Sequence, residues 1–199
     1  MSEDAFPAFY DDLEASLAEA WRRLEDGVKN RKSGFHCVQL GTCETDGTPS
    51  VRTCVLRAVD PAAGWLQVHT DRRGRKPAEI AREPRASVHA YDPAAKIQLR
   101  LTGTAVIHAD DDVAETAWAR TRDFSRECYR LQPGPGTPLE LPDGADLPRA
   151  DDPDLGRENF AVLRLHVTRL EWLYLAAAGH RRALFEWSSG TRRAAWLVP

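Results

Sequence analysis

Five short runs between Phe35 and Ala109 carry β-branched residues in a partly alternating apolar–polar pattern, and that pattern constrains the fold most. They read FHCVQLGTCET, SVRTCVLRAV, WLQVHT, RASVHAYD and KIQLRLTGTAVIHA. Successive side chains of a strand point to opposite faces, so a period of two marks strands with one buried face. Turn signals separate the runs: DGTP at Asp46–Pro49, DPAAG at Asp60–Gly64 and DPAAK at Asp92–Lys96. Short strands at this spacing predict a mainly β, antiparallel barrel or sandwich.

Helical periodicity flanks the strands. Phe9, Leu13, Leu17, Trp21, Leu24 and Val28 recur every three or four residues, which predicts an amphipathic helix within residues 1–32. Residues 110–130 predict a second helix, with Asp110–Asp112 suited to its cap and first turn. A short helix is expected between the third and fourth runs, with Pro77 in its first turn and Glu83–Pro84 at its end. Residues 131–158 are rich in Pro, Gly and Asp and predict a long loop. Residues 159–199 predict closing strands, so 1–199 forms one domain around core barrel strands at 34–109.

Composition narrows the function classes. The chain has 199 residues and a net charge of −3, which argues against a general nucleic-acid binder. It has no apolar run of the roughly 18 residues a membrane span needs, and its acidic N-terminus does not resemble a secretory signal. A cytoplasmic location follows as the expectation. The four cysteines form no C-x-x-C pair and predict buried, reduced thiols rather than a metal or disulfide site.

Within this acidic chain the stretch HTDRRGRKPAEI places four cations between Arg72 and Lys76. It follows a strand and opens a helix, whose N-terminus carries a partial positive charge and unpaired N–H groups. Arg75 and Lys76 are unfavourable there unless an anion binds, and phosphate is the usual one. Gly74 would let the backbone approach it closely. A solvated basic loop and a nucleic-acid phosphate site are the other readings. On the preceding strand, Arg52 and Arg57 stand at opposite ends of RTCVLR, with Thr53, Val55 and Arg57 on one face. Gln98 lies on a later strand.

In combination, RTCVLR, VHTDRRGRK, AEIAREPRASVHAY and KIQLRLTG resemble the pyridoxamine 5'-phosphate oxidase-related flavoproteins, whose fold is an FMN-binding split β-barrel. That family shows R-x-V-L-x-K/R, then aromatic-Thr, then S/G-R-K opening a short helix, N/E-P-x-A, and R-Q-V ahead of x-x-G. The terminal WLVP and the strand RLEW resemble its closing R-L-x-P and E-F-W. The resemblance implies that Arg52, Thr53, Val55, Leu56, His69 and Thr70 line FMN. It further implies that Arg75 and Lys76 clamp the FMN phosphate and that Gln98 hydrogen-bonds the cofactor. It implies a homodimer with FMN at the interface, with Trp172 and either Arg181 or Arg182 reaching the partner's flavin.

Candidate substrate residues are Arg57, Trp118, Arg122, Arg181 and Arg182. The family's C-terminal R-x-H-D-R segment is replaced here by GHRRALFEW, which keeps two cations and loses His-Asp-Arg. The expected function is therefore FMN-dependent hydride transfer on a small substrate, with oxygen or NAD(P)H as redox partner, rather than the vitamin B6 reaction itself. The alternative is a flavin carrier or sensor.

Overall fold

The computed structural model of the chain describes residues 6–141, 152, 154–188 and 190–199. Its strands are β1 (Cys37–Cys43), β2 (Pro49–Asp60), β3 (Trp65–Asp71), β4 (Arg85–Asp92), β5 (Ile97–His108), β6 (Phe160–Tyr174), β7 (Arg181–Ser188) and β8 (Thr191–Leu197). Its helices are α1 (Leu13–Lys29), α2 (Arg75–Arg82), α3 (Asp112–Arg120) and α4 (Asp123–Arg126). The strands neighbour one another in the order β3-β2-β1-β4-β5-β6-β7-β8, and a further β3–β6 pairing closes the first six into a barrel. Every pairing is antiparallel. Of barrel and sandwich, the chain forms the barrel.

β6 makes the closure. One edge pairs with β5 from Val162 to Tyr174. The other edge pairs first with β3, over Phe160–His166, and then with β7, over Arg169–Tyr174. Inside the barrel, Leu40, Leu56, Leu66, Val68, Leu99, Leu101, Leu163 and Leu165 are fully buried. These are the apolar positions of the alternating runs, so the period of two sets the core directly. Leu17, Trp21 and Leu24 of α1 join the same core.

Asp12 caps α1 by accepting from the Ala15 N–H at 2.9 Å, so the helix starts at Leu13, later than its apolar pattern. Phe9 and Tyr10 instead form a turn and pack edge-on against Tyr174. The single helix expected over 110–130 is broken. Thr121 is extended and its hydroxyl donates to the Ala117 carbonyl at 2.7 Å. Arg126 reaches back to the Trp118 carbonyl at 2.8 Å, and the chain restarts as α4 and a 3-10 turn at Glu127–Arg130. Side chains have taken up those helix-terminal carbonyls, which no apolar period records. Much of the loop expected at 131–158 lies outside the described residues; 131–141 is irregular and Arg157–Asn159 is a 3-10 turn. Only Cys54 is a buried thiol. Cys37 and Cys128 are exposed because one opens β1 and the other sits in the turn after α4. Among the described residues, no helix is long and apolar enough to cross a membrane.

The β5–β6 register shifts between Thr102 and Gly103. A Cβ on Gly103 would lie 1.8 Å from the His166 carbonyl oxygen, so only glycine fits this irregularity. Gly103→Ala is expected to cost about 2 kcal/mol or more in denaturant unfolding, against about 0.5 kcal/mol or less for a typical surface substitution.

Candidate functional site

The cationic stretch opens α2, which begins at Arg75, with Pro77 as its third residue. Gly74 is the N-cap, no side chain caps the helix, and its first turn holds no acid. The first N–H groups are therefore available to an anion. The Arg75 side chain is 74% exposed and its nearest acid, Glu44, is 3.5 Å away. Among the described residues, the Lys76 side chain has no hydrogen-bond or ion-pair partner. Arg72 and Arg73, the other two cations of the stretch, are both paired. Arg72 meets Asp110 at 2.9 Å. Arg73 grips both carboxylate oxygens of Asp71 and donates to the Leu131 carbonyl at 2.8 Å, tying the start of the long loop to the end of β3.

Beneath α2 lies a buried polar network. Glu79 is 2% exposed. Its Oε2 accepts from Arg52 at 2.9 Å and from the Thr42 hydroxyl at 2.6 Å. Arg52 also donates to Thr42 and to the Ser50 hydroxyl. Glu79 Oε1 is buried without a partner. Lys76 and Arg52 both act on the Cys54 thiol, whose pKa burial pushes up while their charges pull it down. Arg52, Lys76 and Cys54 therefore share one corner, and Arg52 reaches it with its guanidinium oriented by a carboxylate on α2.

A separate cleft of roughly 560 Å³ opens over β2, β3 and the first half of β6, between α3–α4 and the end of α1. Arg57, His69 and Arg122 line it, as do Gln67, Arg164, Lys29 and Arg31. Arg57 sits at a β-bulge: Leu56 pairs with Val68 and Ala58 with Gln67, leaving Arg57 as the additional residue. The bulge lets consecutive residues, Arg57 and Ala58, face the same cleft, which strict alternation forbids. His69 packs edge-on against Phe160 at 4.8 Å. Burial, aided by the Arg57 charge, lowers the His69 pKa to about 3, so the imidazole is neutral at physiological pH. Arg164 lies over the Trp65 ring at 4.0 Å and donates to Gln67 at 3.1 Å.

The remaining candidates are scattered. Thr53 and Val55 lie on the outer face of β2, but the Leu56 side chain is inside the barrel at 0% exposure and Thr70 is 3% exposed. Trp118 is buried against Phe160 and donates to Asp154, so it packs α3 rather than lining the cleft. Trp172 is fully buried, with Phe9 edge-on to it and Trp196 beside it. It faces the core because Leu170, Trp172 and Tyr174 share the inner side of β6. Gln98, Leu173 and Arg182 form one row across β5, β6 and β7. β5 stands three places from β2 on the six-strand ring, on the opposite side of the barrel from Arg57. Arg182 binds Glu171 at 2.5 Å, and Arg181 binds Asp11 while lying over the Tyr10 ring.

The period of two could not show Glu79, Gln67 or the cleft cations Lys29, Arg31 and Arg164. Arg164 alone left a trace, as a lone cation in FAVLRLHV.

Removing one partner of a buried ion pair leaves the other uncompensated. Glu79→Ala is expected to destabilise the fold by about 3 kcal/mol in urea unfolding, whereas Glu79→Gln, which keeps two acceptor contacts, should lose about 1 kcal/mol. Equal losses would show that the carboxylate is not needed. His69 supplies a pH dependence. Its unfolded imidazole titrates near 6.5 and its folded one near 3, so between those values the unfolded chain binds the additional proton and acidification favours unfolding. Stability should fall between pH 7 and pH 5 more in the native chain than in His69→Phe, by up to about 1.4 kcal/mol per pH unit. Matching pH profiles of the two proteins would contradict this.

Comparison with known proteins agrees with the barrel. Residues 18–109 match the family model described as pyridoxamine 5'-phosphate oxidase, FMN-binding domain. The pyridoxine/pyridoxamine 5'-phosphate oxidase 2 of Arabidopsis thaliana is 28% identical over 187 residues, covering 88% of this chain and 93% of that protein. A pyridoxamine 5'-phosphate oxidase-related, FMN-binding protein from Nostoc punctiforme superposes with a TM-score of 0.78 at 24% identity, covering 98% of this chain and 100% of that one. PhzG from Burkholderia lata, solved with tetrahydrophenazine-1-carboxylic acid, gives 0.73 at 20% identity, with 98% of each chain covered. At these identities the two structures establish the shared fold. Residues 18–109 thus match the FMN-binding domain of the pyridoxamine 5'-phosphate oxidase family, and the chain as a whole is similar in fold to an FMN-binding protein related to that oxidase.

Proposed function

We propose that the chain is an FMN-dependent oxidoreductase acting on a small anionic substrate, with FMN seated at the junction of two copies. The cationic corner at the start of α2 carries this reading. Arg75 meets only Glu44, at 3.5 Å from a largely exposed side chain, Lys76 has no acidic partner among the described residues, Arg52 is oriented beside them, and the helix N–H groups are uncapped. A dianionic phosphate needs that donor set. Bound FMN supplies a hydride acceptor or donor at flavin N5.

The chain's own residues then position the reactants. Thr53 and Val55 offer a wall on the outer face of β2 beside Arg57. Arg57 and Arg122 make the cleft positive for an anionic substrate, and neutral His69 offers a hydrogen bond without adding charge. Gln98 and Arg182 lie across the barrel from this wall. One flavin meets both sets only where a second copy brings its β5–β7 face against the first copy's outer β2 face, which supports the homodimer. Oxygen or NAD(P)H completes the redox couple, and a cytoplasmic setting suits four unpaired thiols.

The relatives bear on substrate class. The Arabidopsis relative is a pyridoxine/pyridoxamine 5'-phosphate oxidase and PhzG was solved with a carboxylic acid, so both point to anionic ligands. A carrier without turnover is the second reading. It is favoured by Arg181 and Arg182 being held in ion pairs with Asp11 and Glu171.

Purified protein should show a bound-flavin visible spectrum or bind added FMN at micromolar concentration. Arg75→Ala/Lys76→Ala should weaken FMN by about 1.5–3 kcal/mol per charged contact and leave riboflavin unaffected. Equal FMN affinity in the variant would remove the phosphate assignment. Rapid oxygen- or substrate-dependent reoxidation of reduced protein separates enzyme from carrier.

A further inference from the structure

The cleft carries more positive charge than one anionic group requires. Lys29, Arg31, Arg57, Arg120, Arg122 and Arg164 line it, against one acid, Asp112. Several arginines elsewhere are matched by acids: Arg73 by Asp71, Arg157 by Glu115, and Arg169 and Arg182 by Glu171. Of the six cleft cations, Arg164 alone makes a side-chain hydrogen bond among the described residues, to neutral Gln67, and its Nε is buried without a partner. The other five cations have neither a hydrogen-bonded nor an ion-paired side-chain partner among the described residues. Like charges gathered in a concave site repel one another unless an anion joins them.

Their distribution is as informative as their number. Lys29 ends α1 and Arg31 follows it, and α1 packs on β2, so both stand with Arg57 on the β2 side. Arg120 and Arg122 come from the end of α3 and the start of α4, and α3 packs on β6. Because β3 lies between β2 and β6 in the barrel, the two sets face each other across a floor that includes Trp65, Gln67, His69 and Arg164. A ligand with one anionic group satisfies one side and leaves the other unmatched. The floor suits a flat body, with the Trp65 and His69 rings and the Arg164 guanidinium along it.

We infer that this cleft selects a planar small molecule with two separated anionic groups, one held by Arg120 and Arg122 and the other by Lys29 and Arg31. The cleft volume of roughly 560 Å³ lies within the range of small-molecule sites. The inference rests on the reading that the cleft is the substrate site, and adds a second anion position to it.

The test uses the FMN-loaded protein, with phenyl phosphate and 4-carboxyphenyl phosphate as probes in calorimetric titrations. The carboxylated probe should bind about tenfold tighter than phenyl phosphate. Lys29→Ala/Arg31→Ala should erase that preference while leaving phenyl phosphate unchanged; both side chains are exposed, so the fold should tolerate the change. Arg122→Ala should weaken both probes. Equal affinity of the two probes for the native protein overturns the proposal, as does a preference that survives in the double variant. A visible spectrum of the same sample keeps the two readings apart: flavin retained with neither probe bound rejects the cleft as a substrate site while the cofactor assignment stands.

Discussion

The hydrogen bonding of β6 along both edges is the constraint on which the rest of the structure depends. A strand of 15 residues is long enough to pair with β5 on one side and with two different strands in succession on the other. Its first half closes the barrel on β3 and its second half carries β7 and β8 away from it. Closure leaves the six barrel strands without an open edge. It also sets Arg164 beside Gln67 and Val162 beside His69, so the step that completes the core builds the cleft floor.

Charge is handled differently at the two sites. Arg52 is committed to Glu79, Thr42 and Ser50, and it presents its charge from a rigid, partly buried frame. A buried acid on α2 thereby fixes the helix to the barrel through the same guanidinium that faces the cationic corner. The cleft does the reverse, gathering cations and giving them almost no acid. An overall charge of −3 conceals both arrangements, because pairing is local and net charge is not.

The strands were legible because burial on one face forces a period of two, as Leu99 and Leu101 inside with Arg100 outside illustrate. The cationic corner was legible because Arg75 and Lys76 are adjacent in sequence and the helix that makes them unfavourable starts with them. Other features depended on partners distant in sequence. Nothing local marks the stop at Thr121, which relies on Arg126 reaching the Trp118 carbonyl, or the role of Arg73, which relies on Leu131. The bulge at Arg57 is a misfit between two strands and has no signature in one of them. Trp172 matched a motif by position, yet its inward face on β6 buries it.

The sequence by itself determined the β architecture, the core positions and the adjacency of two cations to a helix start, since each follows from spacings of a few residues. The tertiary structure alone decided which charges remain unmatched. Lys29, Arg57, Arg122 and Arg164 come from four separate elements, and they meet over one floor because β6 returns to β3. It likewise set Gln98 and Arg182 on the far side of the barrel from Arg57. Ring closure fixes which strands stand opposite one another, and no local period in the chain encodes that relation.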